Sequence, residues 1–253
     1  MTQANLREHA GSALVAAVLA GLWWLVSAQG WVSRVFLPSP AAAAASLVDG
    51  LRDGPLAGFT LSTLGRMLVG WLLASGLGIA LGAMIGSSAT ARAWLQPSLE
   101  FLRPLPASAL IPLAVAVFGL SPGMVLAVVA IGAMWPVLLA TIHGVASIHP
   151  RLHEVGTALQ LGRVAFLCKI GLPNAMPDIL AGMRLALTVS LIVSVVGEMV
   201  ASQSGLGQAI LLAARSFQSG ELFAGVILLG LIGFASNALL ALAERRLMRW
   251  QTR

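Results

Sequence analysis

The chain has 253 residues, of which 58% are hydrophobic and 9% charged, and its formal net charge is +6. A soluble domain carries roughly a quarter charged residues, so this composition cannot coat a water-exposed globule of the same size. The basic residues lie between apolar runs and at the C-terminal end, a distribution that orients a membrane protein and excludes a basic face for nucleic acid.

Repeated apolar runs of about 20 residues predict an all-α, polytopic membrane protein with six transmembrane helices. The first span covers 10–30, behind Arg7. A signal peptide is excluded, although Val26-Ser27-Ala28 resembles a cleavage site, because the run is too long and Trp23-Trp24 interrupts it. Leu37-Pro38-Ser39-Pro40 breaks the chain, and 41–53 reads as a short amphipathic helix on the outer surface, ending at Gly54-Pro55. Residues 1–59 therefore form an N-terminal span with an outer amphipathic segment, and 60–253 form the core.

The second span, 60–86, contains Gly78, Gly82 and Gly86 at four-residue spacing. Such spacing favours a seam where two helix backbones touch, against the plainer reading of glycine as filler. The third span, 98–118, holds Pro104, Pro106 and Pro112, which predict a kink or break. Glu100 and Arg103 are placed to pair on one helix face. A turn at Gly119–Gly123 leads to the fourth span, 123–145. The fifth covers 178–200 and the sixth 222–243, ending in Glu244-Arg245-Arg246. Between them, Leu206, Ile210, Leu211 and Ala214 recur at helical spacing and predict one apolar face. Glu198, Ser202, Gly205 and Gly207 gather at this end as a possible outer gate. A purely structural role for Glu198 is at least as well supported as contact with a substrate.

With the N-terminus inside, the inner segments hold Arg7, Arg92, Arg151, Arg163, Lys169, Arg245, Arg246, Arg249 and Arg253. The outer segments hold Arg34, Arg52 and Arg215. Nine against three places both termini and the 149–177 loop in the cytoplasm. Cys168, the single cysteine, permits no intrachain disulfide. The four histidines have no metal-ligand spacing, so no metal site is expected.

The 149–177 loop, HPRLHEVGTALQLGRVAFLCKIGLPNAMP, is far longer than a chain reversal needs, which argues for a partner. Glu154-Val155-Gly156, then Gln160, then Ile170-Gly171-Leu172-Pro173 follow the spacing Glu-Ala-Ala, three residues, Gly, nine residues, Ile, one residue, Leu-Pro. That is the signature of bacterial ABC-importer permeases, which the chain resembles. The identity departs at both Ala positions and at the Gly, now Gln160. Gly162 is expected to supply the turn two positions late. Phe36–Pro40, Leu102–Pro106, Trp135–Leu139, Val196–Met199, Gly205–Gly207 and Glu244–Leu247 are similar to the nitrate/sulfonate/taurine branch.

The resemblance implies a permease subunit that works as a homodimer with two ATPase subunits and an extracytoplasmic binding protein, in the bacterial inner membrane. It implies that Glu154, Gly156, Leu159, Gln160, Gly162, Arg163, Ile170, Leu172 and Pro173 form the ATPase-coupling loop. Glu154 is expected near a helix start, Leu159, Phe166 and Leu172 as apolar anchors with Arg163 and Lys169 at the rim, and Pro173 as the stop before the fifth span. The substrate stays open among sulfonates, taurine, nitrate and small heterocyclic nutrient precursors. No cofactor is expected on this chain. Its single Lys169 lies between Cys168 and Ile170, which is no phosphate-binding loop, so ATP and Mg belong to the partner. Two rivals carry less support. A proton-coupled secondary transporter wants a central acid in the membrane. An intramembrane serine protease would need Ser204 beside His143, whereas the topology sets them a membrane thickness apart.

Overall fold

A computed structural model describes residues 3–248, with side chains from residue 14 onward. Arg249 and Arg253, two of the residues used for orientation, lie outside the described residues, as does the side chain of Arg7. Helix is the only regular secondary structure among the described residues: α1 (Gln3–Ala28), α2 (Pro40–Arg52), α3 (Leu56–Gly86), α4 (Ala89–Leu102), a 3₁₀ turn (Ala107–Leu110) leading into α5 (Ile111–Phe118), α6 (Pro122–Ala146), α7 (Pro150–Ala158), α8 (Arg163–Phe166), α9 (Leu172–Ala201), α10 (Leu206–Arg215) and α11 (Ser219–Leu247).

Three helices form the core, α3, α6 and α9, and glycine lets them touch. A Cβ on Gly78 would lie 2.8 Å from the Val137 Cβ, one on Gly82 2.6 Å from the Thr141 Cβ, and one on Gly86 3.0 Å from the Val145 Cβ. The three glycines thus form a single seam of α3 against α6 within one chain, where backbone meets backbone. On the other side of α6, a Cβ on Gly182 of α9 would come within 2.8 Å of the Pro136 carbonyl. Trp71 on α3 donates its indole N–H to the Met183 carbonyl of α9 at 2.9 Å, satisfying a group that would otherwise be stranded in an apolar bundle.

The N-terminal unit attaches through α11. Trp23 of α1 donates to the Pro38 carbonyl at 3.0 Å and stacks on Phe223 of α11, with ring centroids 5.4 Å apart. Ser39 caps α2 by accepting from the Ala42 N–H at 3.2 Å, and Pro40 occupies its first turn. A Cβ on Gly220 of α11 would collide with Ser46 of α2.

Among the described residues, four continuous helices are long and apolar enough to cross a membrane: α3, α6, the run Arg163–Ala201, and α11. The third predicted span is broken. It starts earlier than expected, at Ala89, and α4 and the Ala107–Phe118 segment are bent by 87° across Pro104 and Pro106. The apolar part of α1 is Leu14–Ala28. By length and composition the described residues thus give four spans, or five with the broken pair, against the predicted six; the apolar part of α1 is shorter than the other spans. Glu100 does not pair with Arg103; it accepts from Gln96 at 2.8 Å, one turn earlier on the same face.

Candidate functional site

The loop after α6 folds as two short helices in a hairpin. His149 caps α7 through its ring, with the Arg151 N–H 3.2 Å from Nδ1, and Pro150 follows at the first position. Glu154 lies in the middle of α7, not at its start, because the cap is His149. The helix ends in a Schellman motif: the Leu161 N–H donates to the Gly156 carbonyl and the Gln160 N–H to the Thr157 carbonyl, each at 3.0 Å. Gln160 adopts the left-handed conformation, with φ +49°. This corrects the expectation for Gly162, whose φ is −64° and which precedes α8 in extended backbone. The turn stays at the position of the signature glycine, and glutamine bears its strain.

Gly156 is required by packing. A Cβ there would come within 2.7 Å of the Phe166 ring, which also stacks on His153 with centroids 4.8 Å apart. Phe166 and Leu172 therefore hold the hairpin together and join the core cluster of Val145, Ile148, Ala175 and Ile179; they are not outward anchors. The outward apolar side chains are Leu159, 64% exposed, and Val164, 76% exposed, with Val155 beside them. Glu154, Arg163 and Lys169 are exposed on the same hairpin, and Ile170 is half-buried. Pro173 does not end the second helix. The chain passes from α8 through a π-turn at Leu167–Gly171 directly into α9, with Pro173 in the first turn of α9. A plain α-helix would drive that proline ring into the Lys169 carbonyl, and the widened turn just ahead of it gives room.

At the opposite end of α9, Glu198 is fully buried. Its carboxylate accepts from the Thr63 hydroxyl at 3.0 Å and the Gly207 N–H at 2.9 Å, and it forms an ion pair with Arg66. Arg66 donates through its other nitrogen to the Ser204 carbonyl at 2.8 Å, and Thr63 accepts the Leu206 N–H at 2.9 Å. These bonds tie α3 to the corner between α9 and α10. Gly205 and Gly207 are glycines because a Cβ on either would collide with the Glu198 carboxylate or the Val195 carbonyl. Ser202 is exposed and left-handed, φ +50°; it shapes the end of α9 and lies apart from the cluster. A buried charge this fully paired is positioned for architecture, since every donor it needs comes from the protein. The buried face of α10 is Leu206, Gly207, Ile210 and Ala213; Ala214, assigned to it from spacing, is exposed.

Residues 74–249 match the family of binding-protein-dependent transport system inner membrane components. The chain belongs to that family. It is 32% identical over 94% of its length to a Bacillus subtilis protein described as an aliphatic sulfonates transport permease, covering 86% of that protein. It is 30% identical to the Escherichia coli taurine transport system permease protein, over 92% of this chain and 87% of the relative. The Leptolyngbya laminosa nitrate import permease protein is 33% identical over 74% of this chain and 67% of the relative.

The chain is thus the membrane-spanning permease component of an ABC importer, and it is not itself an enzyme. Its family works with an ATPase and a substrate-binding protein. The protease reading also fails on geometry. The C-terminal part of α6 containing His143 lies against the start of α9, where a Cβ on Gly144 would meet Ala175. Ser204 follows the far end of α9, which packs on Val125 at the start of α6. Among functional residues, sequence reasoning missed Arg66 and Thr63 as partners of Glu198. Their signal was present: a cation and a hydroxyl three residues apart, on one face of a span whose end meets the same membrane surface as Glu198.

Proposed function

We propose that two copies of this permease form the translocation pathway for a small oxyanion, an aliphatic sulfonate, taurine or nitrate. An extracytoplasmic binding protein delivers the solute and two ATPase subunits drive the cycle. ATP and Mg reside on those subunits, and no cofactor is held by this chain. Both termini and the α7–α8 hairpin face the cytoplasm, an orientation supported by the excess of Lys and Arg in those segments. The observation that supports coupling best is the hairpin itself. It is braced from within by Gly156, His153 and Phe166, yet leaves Leu159 and Val164 exposed beside Arg163 and Lys169. Such an apolar centre with a charged rim suits a protein groove. The relatives' transport of sulfonates, taurine and nitrate supports the substrate class.

Reconstitution tests the reading. The permease, its ATPase and its binding protein in proteoliposomes should take up ethanesulfonate, taurine or nitrate only with ATP, and Leu159→Asp should abolish ATPase co-purification. Uptake driven by a proton gradient without ATP would refute it.

A further inference from the structure

The helix α4 leaves the bundle at the end of α3, and none of its residues is buried. Between it, the end of α3 and the last turns of α6 opens a cavity of about 570 Å³. This volume lies within the range of small-molecule sites. Arg92, Gln96 and Glu100 of α4 and Arg103, the C-cap residue that follows it, line the cavity, with Ile142 and His143 opposite on α6. Their spacing, with Arg103 still in helical backbone, puts the four on one face. Trp94 and Phe101, 79% and 76% exposed, do not line the cavity. Ile85, Leu99, Leu139 and Ala146 complete the lining, so a few polar groups converge on one wall of an otherwise apolar cavity, the usual make-up of a small-molecule site.

The charges of that wall are uneven. Glu100 is engaged by Gln96 at 2.8 Å. Arg92 donates to the Gly86 carbonyl at the end of α3. The Arg103 guanidinium has no ion-pair or hydrogen-bond partner among the described residues, although Glu100 is only one turn away. Two guanidinium groups against one carboxylate leave a net charge of +1, which fits a monoanion. The guanidinium fork matches paired oxygens on sulfur or phosphorus.

We propose that this cavity is an oxyanion site on the cytoplasmic half of the permease, with Arg103 as its principal ligand. It takes a tetrahedral monoanionic group: the sulfonate of a transported solute on its way out, or the phosphodiester of an anionic lipid headgroup. The side assigned to the cavity rests on the orientation proposed above; the site's chemistry does not. Glu100 weakens the site, and Gln96 restrains Glu100 from closing on Arg103.

The test uses the permease co-purified with its ATPase, without binding protein. In phosphatidylcholine nanodiscs, titration with ethanesulfonate should show saturable binding. Arg103→Gln should weaken it about tenfold or more, as loss of a charge-assisted hydrogen bond does. Glu100→Gln should tighten it severalfold, and Arg52→Gln, exposed on α2 and outside the cavity, should leave it unchanged. In a second arm, native mass spectrometry counts phosphatidylglycerol retained by wild type and by Arg103→Gln. Arg103-dependent sulfonate binding assigns the site to solute; Arg103-dependent retention of phosphatidylglycerol alone assigns it to lipid. Indifference of both probes to Arg103→Gln and Glu100→Gln overturns the site. ATP-driven uptake by the wild-type complex, reconstituted with its binding protein in proteoliposomes, is measured alongside, so loss of this inference leaves the transport reading standing, and the converse.

Discussion

Replacing Gln160 by glycine should stabilise the α7–α8 hairpin. Gln160 is held at φ +49° by the two Schellman hydrogen bonds that end α7. For a residue with a Cβ, the left-handed region costs about 1–2 kcal/mol. Glycine removes that strain but enlarges the conformational freedom of the unfolded loop, a loss of about 0.4–1 kcal/mol. The net gain is roughly 0.5–1 kcal/mol, local to α7 and its cap. The reciprocal change, Gly162→Ala, meets open space and a φ of −64°, so it should be neutral or slightly stabilising. Hydrogen exchange of the α7 amides in nanodiscs reads both. Gln160→Gly should slow exchange of the Gln160 and Leu161 amides about two- to fivefold, the rate equivalent of that free energy. If Gln160→Gly accelerates exchange while Gly162→Ala destroys protection, the left-handed turn lies at Gly162 and the assignment is wrong.

Other variants test other links. Gly82→Leu should fail to assemble: even a Cβ at this position lies 2.6 Å from the Thr141 Cβ and 2.8 Å from the Leu138 carbonyl, and backbone cannot yield; wild-type yield and Tm would refute the seam. Glu198→Ala should cost about 3 kcal/mol, because Arg66 is left mostly buried and unpaired. Pairing it with Arg66→Met should recover part of that loss in a double-mutant cycle read by thermal unfolding. For the hairpin contact, Glu154→Lys or charge reversal at Arg163 should weaken ATPase binding while leaving Tm unchanged; normal co-purification and normal ATPase stimulation in both would refute an intermolecular role. Gly156→Ala should loosen the hairpin by displacing Phe166, seen as faster exchange across α7 without loss of the bundle.

The spans were legible because a bilayer demands long apolar helices, and the α3 seam because small residues at four-residue spacing admit a close approach. What failed to read out depended on contacts between segments far apart in sequence. Arg66 and Thr63 look like ordinary polar residues near a span end until α9 brings Glu198 to them. Phe166 looks like a surface anchor until Gly156 offers the gap that seats it. Gly162 looks like the turn residue because sequence propensity favours glycine there. The hydrogen bonds from Gln160 and Leu161 back to α7 override that propensity.

Pro173 misleads for a related reason, and its correction changes how the two ends of the molecule are connected. A proline after a loop helix normally marks a stop, but here the π-turn at Leu167–Gly171 absorbs the missing donor and the ring, and helix continues from Arg163 to Ala201 over 39 residues. At 1.5 Å per residue this element is about 58 Å long. Its foot is the hairpin proposed to meet the ATPase, and its head carries Glu198, bound to α3 and to the start of α10. A rigid-body shift of the hairpin therefore has a continuous helical path to the Glu198 corner, with the π-turn and Pro177, which has no N–H to donate, as irregularities in the hydrogen-bond ladder near its foot. In the proposed transporter, the Arg66–Glu198 pair is expected to resist such a shift at this corner. Weakening the pair should alter transport even where the hairpin still binds its ATPase normally.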